Sequence, residues 1–252
     1  MLQEERKNII LQELSCRSIV KLEELATLLN VSVDTVRRDL KALDRAGLIQ
    51  YVRGGAKALR ESQQFSHFNG RKVLHNDLKR QAARKAVLRI HKGDTIMLNA
   101  GTTTTILAEE IARTGIVCTL ITNNIAAAEA ASNSPECSIH LIGGEWDSEE
   151  RSTWGSRCLR ETETYFPDIC FLAVNALDCQ AGLTDFRFHE IPIMQVMAKN
   201  AWKTIAVMDS TKLDLMAKKQ IFPLRQTPLV LMDDNVSTET RDRYCRAGLI
   251  IE

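Results

Sequence analysis

Apolar residues recur at helical spacing in three segments near the start of the chain. The third segment follows Asn30-Val31-Ser32, which supplies a turn and then Ser32 as a favourable N-cap. Residues 48–52 continue in an alternating pattern up to Gly54-Gly55, which predicts a short hairpin. The pattern predicts a helix-turn-helix with a wing over residues 1–57. The apolar positions are Ile9, Ile10 and Leu14, then Leu22, Leu25, Ala26 and Leu29, then Val36, Leu40 and Leu43.

The periodicity stops after this segment. Residues 60–76 are polar with isolated aromatic residues, and Asn69-Gly70 is a turn signal. We interpret 58–76 as a linker between two domains. The alternative is a surface loop of one continuous domain.

From residue 77 onward, helix and strand patterns alternate. This alternation predicts an α/β domain over 77–252 with a mainly parallel sheet. The predicted helices are 79–90, 103–113, 124–132, 189–200 and 237–246, and the predicted strands are 95–98, 116–121, 138–142, 169–174, 203–208 and 228–231.

Small, polar and charged residues follow five of these strands. Ligands of parallel α/β domains bind beyond the carboxyl ends of the strands, so these residues predict a pocket. The side chains expected to bind an effector are Asn99, Gly101, Thr102, Thr103, Thr104, Asn123, Asn124, Asp178, Asp185, Glu190 and Lys212.

The chemistry of this set favours a phosphorylated sugar. The turn at 101–105 places backbone N–H groups and hydroxyls at a helix N-terminus, which suits a phosphate, although a threonine-rich N-cap is an equal alternative. The turn has neither a Walker lysine nor a GxGxxG pattern. Lys212 supplies a positive charge, and Asp178, Asp185 and Glu190 are acceptors for sugar hydroxyls.

The start of the third helix carries the residue types that contact DNA. The alternative is a solvated basic helix, but turn, cap and wing occur in register. Asp39 is expected to fix an arginine for a phosphate or a guanine edge, and Arg6 and Lys7 are weaker phosphate contacts. The predicted DNA-binding residues are Ser32, Asp34, Thr35, Arg37, Arg38 and Lys41, with Arg53 and Lys57 in the wing.

Charge is divided unevenly along the 252 residues, whose formal net charge is +1. Residues 1–92 hold 19 Lys+Arg and 10 Asp+Glu, whereas residues 93–252 hold 14 and 22. This division indicates that residues 1–92 bind a polyanion and that residues 93–252 form a separate, acidic part of the protein. The seven cysteines lie far apart without zinc-finger spacing, so we expect reduced thiols and no metal. No signal-peptide core is present, which favours the cytoplasm.

The chain resembles the DeoR family of bacterial transcriptional regulators over nearly its full length. In the front half, the family pattern is carried by Leu22, Leu25, Val31-Ser32, Thr35, Arg37-Arg38-Asp39-Leu40, Leu43, Gly47, Ile49 and Gly54-Gly55-Ala56. In the back half, it is carried by Gly101-Thr102-Thr103, Thr122-Asn123-Asn124, Gly143-Gly144-Glu145 and Asp209-Ser210-Thr211-Lys212. The resemblance implies a repressor of carbohydrate catabolism genes and a sensor domain similar to ribose-phosphate isomerase and CoA-transferase folds. It also implies a phosphorylated sugar as inducer, and dimers or higher oligomers.

Five positions depart from the family pattern. Lys21 replaces a capping Ser or Thr, and Tyr51 and Arg53 replace an Arg and a His of the wing. Asn99 replaces an Asp before the Gly-Thr-Thr turn, and Met194 replaces a Lys. The altered charges indicate an altered inducer.

Together these features predict a DNA-binding repressor of carbohydrate catabolism genes that a phosphorylated sugar releases from its operator. We expect no enzymatic activity, no cofactor and no membrane association. The expected partners are double-stranded DNA, a sugar phosphate and further copies of the chain in a homodimer or homotetramer. The alternatives are a sugar-phosphate isomerase carrying a DNA-targeting domain and a ligand-independent architectural DNA binder.

Overall fold

The computed structural model describes residues 3–16, 19–45, 48–57 and 68–252. The chain divides into two compact units, Met1–Leu74 and His75–Glu252. Gly47 and the part of the predicted linker at 58–67 lie outside the described residues. No helix in the described ranges is long and apolar enough to cross a membrane.

The first unit is built from helices and one small sheet. Its strands form an antiparallel sheet in the order β1-β3-β2. The last helix occupies part of the predicted linker, because Phe68 is buried and Gly70 packs closely on Leu48. The elements are α1 (Gln3–Cys16), β1 (Ile19–Lys21), α2 (Leu22–Leu29), α3 (Val33–Arg45), β2 (Gln50–Val52), β3 (Gly55–Lys57) and α4 (Phe68–Val73).

The apolar faces of α1, α2 and α3 form one core, as their spacing predicts. Leu25, Leu29, Val36 and Leu40 are all at most 1% exposed within it. The chain turns between α2 and α3 at Asn30, which adopts a left-handed conformation with φ of 50°. Asparagine tolerates that conformation better than most residues, so the turn follows from the sequence.

The wing supplies the cap that Lys21 does not. No side-chain hydrogen bond caps α2, but the backbone N–H of Leu22 donates to the carbonyl of Gly54 at 2.9 Å. A Cβ at Gly55 would lie 2.1 Å from the backbone oxygen of Val20. Only glycine at position 55 therefore lets the wing approach β1 closely enough for this cap.

The second unit is an α/β domain. Its main elements are α5 (Asn76–Val87), β4 (Thr95–Leu98), α6 (Thr102–Thr114), β5 (Cys118–Thr122), α7 (Ile125–Ala131), β6 (Cys137–Leu141), β7 (Glu145–Asp147), β8 (Ser152–Trp154), α8 (Gly155–Thr162), β9 (Ile169–Ala173), β10 (Ala176–Asp178), β11 (Gly182–Asp185), α9 (Glu190–Asn200), β12 (Lys203–Val207), β13 (Lys219–Phe222), β14 (Leu229–Leu231) and α10 (Thr238–Arg246).

Six parallel strands form the central sheet in the order β14-β12-β9-β4-β5-β6. Alternate residues enter two separate cores, as expected for a sheet covered on both faces. Ile96 and Leu98 face one core with α5, α6 and α7, whereas Met97 faces the other with α9 and α10. The predicted mainly parallel sheet is confirmed, and the strand order changes direction between β4 and β9.

Several short elements were not predicted. They are the hairpin β7–β8, helix α8, and the three-stranded antiparallel sheet β10-β11-β13. Its first two strands occupy residues that we interpreted only as polar strand ends. Strands of three or four residues are too short for a period-two pattern to stand out.

We expect Gly55→Ala to destabilise the first unit far more than Gly54→Ala. Position 54 has φ of 89° but no atom within 4 Å of a new Cβ, whereas position 55 meets a backbone oxygen that cannot move away alone. The expected losses are about 1 kcal/mol at 54 and about 2–3 kcal/mol at 55. Hydrogen exchange of peptides from α2 and α3, followed in increasing urea, measures both. Equal losses would contradict the close approach described above.

Candidate functional site

The first turns of α3 form the surface predicted to contact DNA. The Ser32 hydroxyl accepts a hydrogen bond from the backbone N–H of Thr35 at 3.2 Å, so Ser32 is the N-cap. The N-terminal part of such a helix is the part that reaches base edges in the major groove. The remaining predicted side chains here are exposed or half-buried, and Arg37 pairs with Asp34; they are Asp34, Arg37, Arg38 and Lys41.

The wing places two further predicted residues on the surface. Arg53 is exposed in the turn between β2 and β3, and Lys57 is exposed at the end of β3. The backbone N–H of Tyr51 donates to Asp44 of α3 at 2.8 Å, which fixes the wing against that helix. The replaced wing residues therefore sit on a braced hairpin.

The predicted pairing of Asp39 with an arginine is confirmed, and its partner is Arg6 of α1. Its carboxylate is 1% exposed and accepts hydrogen bonds from Arg6 of α1 at 2.7 and 3.2 Å, with a further bond from Gln3. A carboxylate cannot remain buried without such partners, so this pair joins α1 to α3 inside the core. It fixes no arginine of α3 for DNA, and the Arg6 guanidinium faces inward.

Most of the net positive charge of residues 1–92 lies outside the predicted DNA-binding domain at 1–57. Residues 1–57 hold 10 Lys+Arg and 8 Asp+Glu, whereas residues 58–92 hold 9 and 2. Much of the second group belongs to α5 or the turn after it and is paired within the second unit. The pairs are Arg80 with Glu109 and Glu110, Arg84 with Glu110, Lys85 with Asp234, and Arg89 with Glu252. The predicted DNA-binding domain therefore carries a net charge of only +2 over residues 1–57.

At the carboxyl edge of the central sheet, Asn99 joins β4 to β9. Its side-chain N–H donates to the carbonyl of Ala173 at 3.0 Å, and its side-chain oxygen accepts from the Ala173 N–H at 2.7 Å. A carboxylate has no donor and cannot make both bonds. Asn99 therefore links the two strands by a pair of hydrogen bonds that an Asp at this position could not make.

Helix α6 begins directly beside this junction. A Cβ at Gly101 would lie 2.6 Å from Cβ of Ala173, so the absence of a side chain lets the helix start against β9. Thr104 and Thr105 donate their hydroxyls to carbonyls of this turn at 2.8 Å. Thr102 is buried, and the hydroxyl of fully buried Thr103 has no hydrogen-bond partner.

Two asparagines connect the end of β5 to this turn and to α9. The Asn124 amide donates to the carbonyl of Gly101 at 3.0 Å, and its oxygen caps α7 through Ala127. The Asn123 amide donates to Glu190 at 3.0 Å and to the carbonyl of Thr153 at 2.9 Å. The strand ends of β4 and β5 thus meet in one cluster, as predicted.

A buried ion pair that we did not predict lies between Asp185 and Arg187. Two hydrogen bonds of 3.0 and 2.8 Å join the side chains, and Arg187 also donates to the carbonyl of Ala100 at 2.7 Å and lies 3.7 Å from Glu150. Burial raises the pKa of Asp185, but Arg187 lowers it by more, so the net shift is downward. The available signal was a lone arginine between two predicted acidic residues, Asp185 and Glu190.

Glu190 opens α9 and is completely buried. Burial raises its pKa to about 7, although the charge of Arg187 and the Asn123 hydrogen bond oppose that shift. Its Oε1 accepts from Asn123, whereas Oε2 has no hydrogen-bond partner. A carboxyl group in this state can donate or accept a proton near neutral pH.

A second charged cluster follows β12. Lys212 donates to the carbonyl of Val174 at 2.8 Å and lies 3.8 Å from Asp209, which joins the end of β12 to that of β9. Burial raises the pKa of Asp209, but Lys212 and then Lys79 lower it by more, and the net shift is downward. Lys79 is 3% exposed, and we did not predict it because it reads as part of a basic helix face.

Asp178 does not join these residues through any hydrogen bond described for it. Its carboxylate accepts from the backbone N–H groups of Gln180 and Ala181, both at 2.8 Å, in the turn between β10 and β11. This is a common role for Asp in turns. The structure therefore gives Asp178 a local role in the hairpin.

Buried polar atoms without partners are concentrated around this edge. Burying such an atom without a partner costs about 1–3 kcal/mol, so a set of them in one place calls for hydrogen bonds from water or from another molecule. No group of three or more His, Cys, Asp and Glu side chains in the described residues is placed to hold a metal ion. The atoms include Thr103 Oγ1, Asn123 Oδ1, Ser152 Oγ and Glu190 Oε2.

We expect the stability of the second unit to fall with rising pH because of Glu190. Its pKa is about 7 in the folded chain against an ordinary 4.5, so the folded state binds the proton more tightly. Relative to Glu190→Gln, the free energy of unfolding should therefore fall between those two values, by about 3 kcal/mol, and stay level above them. Exposed Glu149 provides the control variant, Glu149→Gln.

The measurement is urea unfolding followed by tryptophan fluorescence. All three tryptophans, at 146, 154 and 202, lie in the second unit, so the signal reports that unit alone. An unchanged pH profile in Glu190→Gln would show that this carboxyl group does not titrate as described.

Comparison with known proteins agrees with both halves of this description. The family model for the DeoR-like helix-turn-helix domain matches residues 6–62, and the model for the DeoR C terminal sensor domain matches residues 74–234. Two solved structures show a weak similarity to the chain. They are ribose 5-phosphate isomerase A of Neisseria gonorrhoeae (14% identity, 58% of this chain and 56% of that chain, TM-score 0.41) and the translation initiation factor eIF-2B of Pyrococcus horikoshii OT3 (11%, 91% and 87%, 0.49).

Curated relatives match almost the whole chain. The HTH-type transcriptional repressor GlcR of Bacillus subtilis is 31% identical over 92% of this chain and 89% of its own. The HTH-type transcriptional regulator GolR of Listeria innocua is 29% identical over 98% and 97%, and the glycerol-3-phosphate regulon repressor of Escherichia coli K12 is 29% identical over 84% and 83%. The chain belongs to the DeoR family of transcriptional regulators.

Proposed function

We propose that this protein is a DNA-binding repressor of carbohydrate catabolism genes that a phosphorylated sugar releases from its operator. The start of α3 and the wing bind the operator, and the carboxyl edge of the central sheet binds the sugar phosphate. It acts in the cytoplasm as a homodimer or homotetramer. Because DNA and effector bind different units, regulation requires that the effector favour a state with lower operator affinity.

The observation that carries the effector site is the hydroxyl of Thr103. It is fully buried, lacks a partner and lies in the first turn of α6, where backbone N–H groups attract an anion. The neighbouring hydroxyls of Thr104 and Thr105 already donate to protein carbonyls. A phosphate oxygen at this turn would satisfy the Thr103 hydroxyl.

The other unsatisfied atoms suit the sugar. Asn123 Oδ1 and Glu190 Oε2 accept hydrogen bonds from hydroxyl groups, and neither has a protein partner. Lys212 and Arg187 add positive charge at the same edge of the sheet. The combination of an anion site with acceptors for hydroxyls is the chemistry of a phosphorylated sugar.

Glu190 also supports a second candidate, a sugar-phosphate isomerase. A buried carboxyl group with a pKa of about 7 can transfer a proton between neighbouring carbons of an aldose or ketose phosphate. Incubating the full chain with sugar phosphates that raise its melting temperature distinguishes the two. Turnover that is lost in Glu190→Gln favours the enzyme, and binding without turnover favours the regulator.

We expect Arg38→Ala to weaken operator binding by about 1–3 kcal/mol, because Arg38 is exposed near the start of the recognition helix. Arg45, exposed in the last turn of the same helix, provides the matched control Arg45→Ala. Fluorescence anisotropy with a DNA duplex selected from a random pool measures both affinities. Equal losses in the two variants would mean that charge alone, and not the position in the helix, determines binding.

We expect Thr103→Val to abolish the response to effector while leaving folding and DNA binding intact. The lost hydroxyl makes no hydrogen bond within the protein, so the free energy of unfolding should change by no more than about 0.5 kcal/mol. The lost hydrogen bond to phosphate should lower the affinity for the effector about tenfold or more. Thr105→Val is the matched control, since its hydroxyl already bonds within the protein, donating to Gly101 at 2.8 Å and accepting from Asn124 at 3.1 Å, and its loss costs about 1–2 kcal/mol of stability.

The readout is release of labelled DNA by the sugar phosphate that gives the largest thermal shift, together with urea unfolding of each variant. Full release of DNA from Thr103→Val at the wild-type effector concentration would contradict the assignment of this hydroxyl.

A further inference from the structure

Cys118 and Cys137 begin two neighbouring strands and face each other directly. Strands β5 and β6 are parallel, and residue 118 is in register with residue 137. Adjacent strands lie about 4.8 Å apart, which is within the Cα separations found in disulfides, about 4.4–6.8 Å. The two Sγ atoms are 3.7 Å apart, in contact but beyond the S–S bond length of about 2.05 Å.

The pKa values of the two thiols are shifted in opposite directions. The Cys118 thiol donates a hydrogen bond to Cys137, and with the backbone N–H of Leu120 it lowers the pKa of Cys137. The same contact, burial and the nearby Asp94 raise the pKa of Cys118. Cys137 is thus the better nucleophile and Cys118 the partner that holds the proton.

Access also favours Cys137. Strand β6 is the last strand of the sheet, and Cys137 is 8% exposed against 4% for Cys118. Among the cysteines whose side chains the structure describes, Cys158 and Cys170 are buried, Cys179 is half-buried and Cys245 is exposed, and only Cys118 and Cys137 share a sulfur–sulfur hydrogen bond. The arrangement of 118 and 137 is therefore particular to the β5–β6 pair.

We propose that Cys118 and Cys137 are a thiol oxidation site that forms a reversible disulfide within the chain when it meets a hydroperoxide. The Cys137 thiolate attacks the terminal peroxide oxygen, the O–O bond breaks, and the product alcohol or water leaves with a proton from solvent. Cys118 then loses its proton and attacks the sulfenic acid of Cys137, forming the S–S bond and releasing water. Two electrons pass from the sulfur pair to the peroxide, and a dithiol reverses the bond.

The bond would join the two ends of the β5–α7–β6 crossover at the amino edge of the sheet. Asn123 and Asn124 lie at the opposite, carboxyl end of β5. The cross-link therefore leaves the effector site in place, and it restricts the unfolded chain by closing the loop from 118 to 137. The oxidised protein should melt at a higher temperature than the reduced protein.

The test uses the full chain, reduced, freed of reductant and treated with increasing hydrogen peroxide. After denaturation, free thiols are blocked and the chain is cleaved after glutamate. Glu129 and Glu136 lie between the two cysteines, so cleavage separates their peptides unless a disulfide joins them. The expected result is a joined pair of peptides, loss of two of the seven thiols, and recovery with dithiothreitol.

Variants identify the order of the steps. In Cys118→Ser, oxidation should stop at a sulfenic acid on Cys137, which dimedone traps. In Cys137→Ser, Cys118 should stay reduced. The control Cys245→Ser, at an exposed site, should form the disulfide as the wild type does. Reduced 118 and 137 at peroxide levels that oxidise Cys245 in the wild-type chain would overturn the proposal. A bridged wild-type chain with a lowered melting temperature would also overturn it, because the bond would then require unfolding.

Discussion

The pairing of β4 with β9 is the constraint on which the second unit depends. The chain leaves β4 toward β5 and β6 on one side and returns to β9, β12 and β14 on the other, so the strand order switches direction between β4 and β9, the place where ligands of such sheets bind. Asn99 bridges those ends with two hydrogen bonds to Ala173, and Gly101 lets α6 begin against the same residue. Thr104 and Thr105 then donate their hydroxyls to carbonyls of the same turn.

Around this junction, polar groups divide into two sets. Thr104, Thr105 and Asn124 donate hydrogen bonds to backbone carbonyls of the turn and make the turn rigid. Thr103, Asn123 and Glu190 each keep a buried atom without a partner. Because the turn is rigid, its unsatisfied polar groups are already ordered before a ligand binds. A ligand that hydrogen-bonds to these groups offsets the free energy lost by burying them.

Sequence patterns predicted the long elements and most of the polar cluster at the carboxyl edge of the sheet, because strong periodicity and the strand-end rule act locally. They did not predict roles that depend on distant partners. Asp39 is buried because Arg6 of another helix reaches it, and Arg187 is recognisable only through its contact with Asp185. The charge division indicated DNA binding for a partly wrong reason, since basic residues of α5 pair within the second unit.

In the proposed function, a phosphorylated sugar controls DNA binding from the carboxyl edge of the sheet, at Asn99, Gly101–Thr104, Asn123, Glu190 and Lys212. Hydrogen exchange of the full chain, with and without the sugar phosphate that most raises its melting temperature, tests this most directly. We expect slower exchange at 99–105, 122–124 and 209–212 when the sugar phosphate is bound. Slower exchange confined to other segments, with DNA still released, would contradict it.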